Sequence, residues 1–287
     1  MKKIIIALCV ISILMISVGF VVAGRNPNQG RDRVFSLPEN AVEVAPGVFH
    51  LGYALDNGRV VEGYAMFVKP TTECGNGICE PGENINKCPE DCSGGEDPTE
   101  PDTSSCYTFL AKGAKWKTVE NYIVDPANSD GLEDSFITSN LALNIGKWET
   151  AAGGHNILGD EIEGIVNGAD LVSPDNKNEV YFDNLGETNT IAFAVVWGIF
   201  RGPPFARELV EWDIVFNDAF DWSAAGEADK MDFENIATHE LGHAVGLGDL
   251  YTDACSEQTM YGYSWEGDIQ KRDLALGDIA GITALYN

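Results

Sequence analysis

Basic residues are scarce in this chain: 18 Lys and Arg stand against 45 Asp and Glu, a formal net charge of −27 over 287 residues. A nucleic-acid partner, which needs a basic footprint, is thereby excluded. Histidine is scarcer still, with four residues, so any imidazole-built metal site must draw on His50, His155, His239 and His243. No internal repeat stands out. What remains is ordinary for a soluble globular protein: 44% apolar residues and a length of one or two domains. The acid excess reads as solubility in a salty or extracellular medium. The sharper alternative is that clustered carboxylates hold Ca²⁺, which takes several oxygen ligands.

The chain opens on Met1-Lys2-Lys3 and then runs apolar, save two serines, from Ile4 to Ala23. A basic start, an apolar run and the small-residue end Val21-Val22-Ala23 make residues 1–24 a secretory signal peptide. The run is also long enough to span a bilayer, so an uncleaved anchor is the alternative, and membrane contact is expected only in that case. Cys9 lies inside the run and is counted with it. Residues 25–36 carry Arg25, Arg31 and Arg33 and read as an exposed arm. Two β-rich runs follow, Val42, Val44, Val48, Phe49, Leu51 and Tyr53, then Val60, Val61, Tyr64, Met66 and Val68. Asp56-Asn57-Gly58 between them is a hairpin signal. A lone hairpin is marginal, so this one must pack on the rest of the protein. Residues 25–70 are therefore an N-terminal β region or a pro-region, with His50 a structural side chain on a strand face.

Cys74, Cys79, Cys88 and Cys92 sit among Gly, Pro, Asn and acids, too few apolar groups for a core, so cross-links must hold residues 71–95. Disulfides are the expected links in a secreted chain, with three pairings open. A thiolate zinc knuckle is the rival, and the Cys spacing suits it poorly. Glu80, Glu83, Glu90 and Asp91 offer oxygens to a structural Ca²⁺. The Pro, Thr, Ser and acidic residues of 96–104 make a linker. With Cys9 lost in the leader, Cys106 and Cys255 remain outside the cluster, and they are expected to pair.

Residues 105–287 read as the principal domain. Trp116 to Val124 predicts a strand. Glu133 to Trp148 predicts a helix with Ile137, Leu141, Ile145 and Trp148 on one stripe. Short strands are expected over Glu161 to Val166 and Asn178 to Phe182, and longer ones over Thr190 to Ile199 and, past Pro203-Pro204, Leu209 to Phe216. Helices are expected over Asp232 to Val245 and Gly277 to Tyr286.

The first of those two helices carries Thr238-His239-Glu240-Leu241-Gly242-His243, and Ala244-Val245-Gly246-Leu247-Gly248-Asp249 follows. Histidines four apart share one helix face and can grip one Zn²⁺, with Glu240 beside them as general base. Gly246 lets the chain leave the helix, because glycine tolerates the left-handed conformation. Asp249 can then return with an oxygen, leaving a fourth metal position for water. Further on, Met260 lies in the turn Glu257-Gln258-Thr259-Met260-Tyr261-Gly262-Tyr263.

This combination resembles the metzincins, whose pattern is H-E-x-x-H-x-x-G-x-x-H followed by a Met-turn. The chain departs from it at the third ligand, where Asp249 replaces His. The element order resembles a matrixin-type catalytic domain over nearly all of residues 105–287. Glu211-Trp212-Asp213-Ile214-Val215-Phe216 resembles its last strand before the zinc helix, and Asp278-Ile279-Ala280-Gly281-Ile282 its closing helix. The resemblance implies an α+β fold: a twisted mixed sheet with zinc helix, Met-turn and C-terminal helix, preceded by the hairpin and the Cys-rich insert. It also implies Zn²⁺ on His239, His243 and Asp249, an apolar floor at Met260, and a substrate peptide paired along an edge strand at Ala192, Phe193, Ala194, Val195, Val196 and Trp197. The family's second-zinc pattern is absent, so His155 reads as a surface residue. Its Pro-Arg-Cys-Gly inhibitory segment is absent too, so a pro-region within 25–104 would have to inhibit otherwise, through a Cys or an acid meeting the zinc. Tyr263 is out of register for the Tyr of astacin-like enzymes and is given no catalytic role. Similar Cys-rich inserts recur in secreted prokaryotic proteins.

The expected function is a secreted, monomeric zinc endopeptidase acting on proteins or peptides. Two other classes share the ligand motif: a catalytically silent zinc-binding adhesion or scaffold protein, against which the intact Glu240 argues, and a non-peptide zinc amidase, against which the Met-turn and closing helix argue.

Overall fold

The computed structural model describes residues 35–70, 103–186 and 188–287. The leader, residues 25–34 of the arm, the four clustered cysteines, the acids beside them and the 96–102 part of the linker lie outside these residues; Phe35, at the end of the arm expected to be exposed, instead packs on Phe67 and Phe193. So the pairing within 74–92 and the Ca²⁺ reading there have no structural counterpart. No helix among the described residues is long and apolar enough to cross a membrane.

Seven strands form one continuous path, in the order β1-β2-β3-β6-β7-β5-β4. They are β1 (Val42–Ala45), β2 (Val48–Asp56), β3 (Arg59–Pro70), β4 (Tyr122–Asp125), β5 (Asn178–Asp183), β6 (Ala192–Ile199) and β7 (Glu208–Asn217). The hairpin β2–β3 turns at Asn57 and Gly58, which take φ of 47° and 80°, the paired positive values whose twist matches the flanking strands. β3 then runs antiparallel to β6, and β6 antiparallel to β7, while β5 and β4 continue in parallel. The N-terminal β region therefore does more than pack on the principal domain: it extends the same sheet.

Helices α1 (Asp134–Ala151), α2 (Phe233–Ala244) and α3 (Leu276–Tyr286) complete the fold. The α1 stripe is buried as its spacing predicts, at Ile137, Leu141, Ile145 and Trp148. It packs with Ile236, Ala237 and Leu241 of α2 against Ala194, Val196, Trp212, Ile214 and Phe216 of the sheet. Trp148 Nε1 donates to Thr238 O at 2.9 Å, pinning α1 to α2. The other sheet face buries Phe67, Phe193, Val195, Trp197 and Val215 in a second cluster, with Ala169 and Leu171 packed on it. Burying both faces of β6 requires an apolar residue at nearly every position, and its sequence AFAVVWGI supplies that.

Two expected strands are not formed as drawn. Trp116 to Val124 pairs only from Tyr122 onward, because Trp116 is drawn off to donate its Nε1 to Ala244 O at 2.7 Å. Glu161 to Val166 is a loop with one bridge, Tyr122 to Glu161. Gly164 passes so close to Ile123 that a Cβ there would meet it at 2.4 Å, and Ile165 is exposed to solvent. Cys106 and Cys255 form the expected disulfide, with Cα atoms 5.5 Å apart.

Candidate metal centre

Helix α2 is started by Asp232, whose Oδ1 accepts from Asn235 N at 3.0 Å while Arg272 grips the same carboxylate. A side-chain oxygen at this position satisfies one of the helix's open N–H groups. At the other end Gly246 takes φ 107°, and the chain turns back. The turn brings Asp249 against the two histidines one helical turn apart. Asp249 Oδ1 lies 3.3 Å from Nε2 of His239 and 3.3 Å from Nε2 of His243. The three ligand atoms all fall within 4.8 Å of one another.

The hydrogen bonds around the histidines fix what this triangle can hold. His239 Nδ1 lies 2.8 Å from Thr259 O, and His243 Nδ1 lies 3.0 Å from Leu247 O. A carbonyl only accepts, so each Nδ1 carries a proton, and in the neutral imidazole each Nε2 then presents a lone pair. Neither Nε2, nor Asp249 Oδ1 between them, has a hydrogen-bond partner, although all three are buried. Two bare imidazole nitrogens and a bare carboxylate oxygen, converging without a donor among them, are the donor set of a Zn²⁺ site. The carbonyls behind the imidazoles and the Tyr251 hydroxyl, which donates to Asp249 Oδ2 at 3.1 Å, are the outer contacts that orient such ligands.

Met260 lies against the same helix. A Cβ placed on Gly242 would meet its Sδ at 2.1 Å, so glycine is required there. The turn is held from α3: Asp278 accepts from Thr259 N at 2.7 Å and from Met260 N at 3.2 Å. It is tied to the ligand loop by Leu250 N to Met260 O and Gly262 N to Leu250 O.

Residues 174–287, which contain β5 to β7, both histidines, Asp249, Met260 and α3, match the matrixin family. This part of the chain is a matrixin-like metzincin domain. The family implies a zinc metallopeptidase with catalytic zinc, acting on protein or peptide substrates. No curated protein matches the chain.

Within the matrixin-like domain these buried groups shift one another's charges. Burial works against a charged His243, yet the carboxylates of Asp249 and Glu240 outweigh it and hold its pKa up at about 9. Burial holds His239 down, with Asp249 opposing. Burial would raise Asp249, but His243 and the hydrogen-bonding reach of both imidazoles keep it well below the usual carboxylate range. Glu240 is fully buried and neither of its oxygens has a partner. Burial pushes its pKa well up, opposed by His243 and reinforced by Asp249.

The substrate strand is where the fold departs from expectation. Ala192, Phe193, Ala194, Val195, Val196 and Trp197 do not lie at an edge: β7 pairs on one side of β6 and β3 on the other. Charge-free, uninterrupted apolar sequence is unsuited to an open sheet edge, and that signal was present in β6. His155 is exposed, as expected of a surface residue. His50 lies on β2 with its Nε2 3.6 Å from Glu62.

Sequence reasoning missed Tyr251, Thr259 and Asp278, whose roles arise from tertiary contacts. It also missed a second carboxylate group, Asp170, Glu211 and Asp213, on the sheet face away from α2. Asp213 accepts from the backbone N–H groups of Asp170 and Glu179 at 3.0 Å each. Glu211 accepts from Asn176 N, and Trp197 Nε1 donates to Asp170 O at 2.6 Å. The group thus straps the loop before β5 onto the sheet. Burial, with the neighbouring carboxylates adding to it, raises Glu211 to about 10; burial raises Asp170 to about 6.

Proposed function

We propose that the protein is a secreted zinc-dependent endopeptidase in which His239, His243 and Asp249 hold the metal and Glu240 is the general base. The observation that carries this reading is the convergence of three buried, partnerless ligand atoms one residue from a buried, partnerless carboxylate. Zinc held there would polarise a peptide carbonyl and bring the pKa of a water toward neutrality. The chain's own residues do the rest. The charge of a bound cation would oppose the burial that raises Glu240, and in its ionised form this carboxylate, with neither oxygen engaged elsewhere, takes a proton from the attacking water and delivers it to the leaving amine. The Thr259 and Leu247 carbonyls keep the imidazoles in the tautomer that leaves Nε2 bare. Met260 closes the floor beneath α2, and the surrounding apolar packing keeps bulk water out. The apolar leader and the Cys106–Cys255 disulfide support an oxidising, extracytoplasmic location, at the cell surface if the leader is retained as an anchor.

Hydrolysis of casein and of internally quenched peptides tests the reading. Turnover should vanish with a zinc chelator, return with added Zn²⁺, and fall by roughly 10²- to 10⁴-fold in Glu240→Ala. Undiminished turnover in excess chelator would overturn it.

A further inference from the structure

His239, Glu240 and His243 are fully buried and Asp249 is 9% exposed, yet a peptidase must admit a polypeptide to them. The N-terminal hairpin lies on the strands beside them. β3 pairs antiparallel with β6 from Glu62 opposite Gly198 to Val68 opposite Ala192. Its last residues, Lys69 and Pro70, run parallel to the two-residue strand β8 (Tyr263–Ser264) just past Met260. Val68 O accepts from Ile191 N at 3.0 Å, and Lys69 N donates to Gly262 O at 3.3 Å. The chain at Val68–Lys69 is thus bound through its main chain both at the start of β6 and at the segment following the Met-turn. Met66 and Val68 are fully buried in the cluster that contains Ile236, Ala237 and Leu241 of α2 and Met260. Gly47, in the turn before β2, accepts from Phe67 N, and a Cβ on Gly47 would come within 3.4 Å of the Tyr251 hydroxyl, the group bonded to Asp249. The matrixin match begins at residue 174, so it contains β6 and β8 but not the strand lying on them.

We propose that β3 is a tethered occupant of the peptide cleft: residues 62–70 hold the strand position that an extended substrate takes, and the hairpin keeps the enzyme closed until it is displaced. This rests on the peptidase reading above. An incoming polypeptide adds a strand to β6 through main-chain hydrogen bonds, which gives affinity with little sequence demand, while alternate side chains enter pockets and give selectivity. The residues it replaces define its class. It carries medium-sized apolar side chains at two alternate positions, where Met66 and Val68 now sit, and no charge at either. Latency here needs neither a thiol nor an acid on the metal, since covering the strand slot suffices.

Full-length chains carrying two changes test this. Ala65→Cys with Val195→Cys joins register partners on β3 and β6 and, oxidised, locks the strand in place. Phe67→Ala removes the ring stacked 5.0 Å from Phe193 and loosens it. Turnover of a quenched peptide with Met and Val at alternate positions should fall at least tenfold in the locked chain and rise at least tenfold in the loosened one. In a Glu240→Ala background, a fluorescent peptide of the residue 60–70 sequence should bind the loosened chain at least tenfold more tightly than the locked chain. Equal turnover by locked and unaltered chains, or equal peptide binding by locked and loosened chains, overturns the proposal. If peptide binding keeps this order while no variant turns over any peptide, the peptidase reading fails and the occupancy of the cleft stands.

Discussion

The Tyr251 hydroxyl donates to Oδ2 of Asp249 at 3.1 Å, and that contact decides which oxygen of the carboxylate stays bare. Oδ1 is left without a partner, equidistant from the two imidazole nitrogens. A carboxylate can rotate or bind a metal through both oxygens where an imidazole cannot, so a site with Asp in place of His gains most from a group that holds one oxygen. Tyr251→Phe should therefore keep zinc but bind it roughly 10- to 100-fold more weakly, the usual cost of removing an orienting contact. Asp249→Ala should lose zinc altogether. Competition against a calibrated chelator measures both, and equal zinc affinity in Tyr251→Phe and the unaltered chain would remove Tyr251 from the metal centre.

Glu240→Ala separates metal binding from chemistry. Glu240 has no partner to lose, and its side chain is not one of the three converging ligands. The variant should retain about one zinc per chain and lose roughly 10²- to 10⁴-fold in kcat, the range for removing a general base. Metal content by atomic absorption and peptide turnover on the same sample decide it; loss of zinc along with activity would mean Glu240 is needed to form the site.

The parts of this fold that could be read from the sequence are those with local causes. The α1 stripe, the caps and glycine exit of α2, the Asn57-Gly58 turn and the His239–His243 spacing all depend on residues within one or two turns of each other. The misread strands fail for a tertiary reason. Trp116 has the residue type of a strand but spends its N–H on the end of α2, and the chain at Gly164 crosses Ile123 too closely to pair regularly. Which strand lies beside which is also a long-range matter, so β3 next to β6 had no local signature. Yet eight residues of β6 with no charge among them were enough to argue for an interior strand, and the resemblance to a family with a free edge drew attention away from that. Tyr251 and Asp278 were invisible because their partners are set by how loops fold back on α2 and α3.

Buried carboxylates on the outer face make stability depend on pH. Glu211 is raised to about 10 and Asp170 to about 6, in each case chiefly by burial, and Asp213 is raised as well. In the unfolded chain all three ionise near pH 4. A carboxyl whose folded pKa is raised favours the folded state fully below its unfolded value, and that contribution is lost as pH climbs through the folded value. Glu211→Gln keeps an acceptor for Asn176 N and never ionises. It should nearly match the unaltered chain at pH 5 and exceed its stability by at least about 1.4 kcal/mol, the worth of one pKa unit, at pH 8 to 9, because the unaltered chain must there keep on Glu211 a proton that its unfolded form has released. Thermal unfolding of both chains across this range is the measurement, and a difference that does not grow with pH would discard the mechanism.

The disulfide ties the segment between Asp249 and Met260, through Cys255, to the chain at Cys106. Cys106 and Cys255 are 149 residues apart in sequence, and closing a loop of that length stabilises by on the order of 4–5 kcal/mol in the chain-entropy description. The bond also has a local task. Cys255 O accepts from Gln258 N, and Gln258 Oε1 accepts from Gly277 N at 2.7 Å, at the start of α3. Gly277 in turn packs so tightly on Cys106 that a Cβ there would meet Cys106 O at 2.2 Å. The segment from Asp249 to Met260 is therefore clamped between the chain at Cys106 and the helix that supplies Asp278 to the Met-turn. Cys106→Ser with Cys255→Ser should lower Tm by about 10 °C, taking roughly 2–4 °C per kcal/mol for a chain of this size. Zinc affinity should drop as well, because the loop that presents Asp249 loses its anchor. A Tm decrease with unchanged zinc affinity would confine the bond to global stability, and an unchanged Tm would refute both roles.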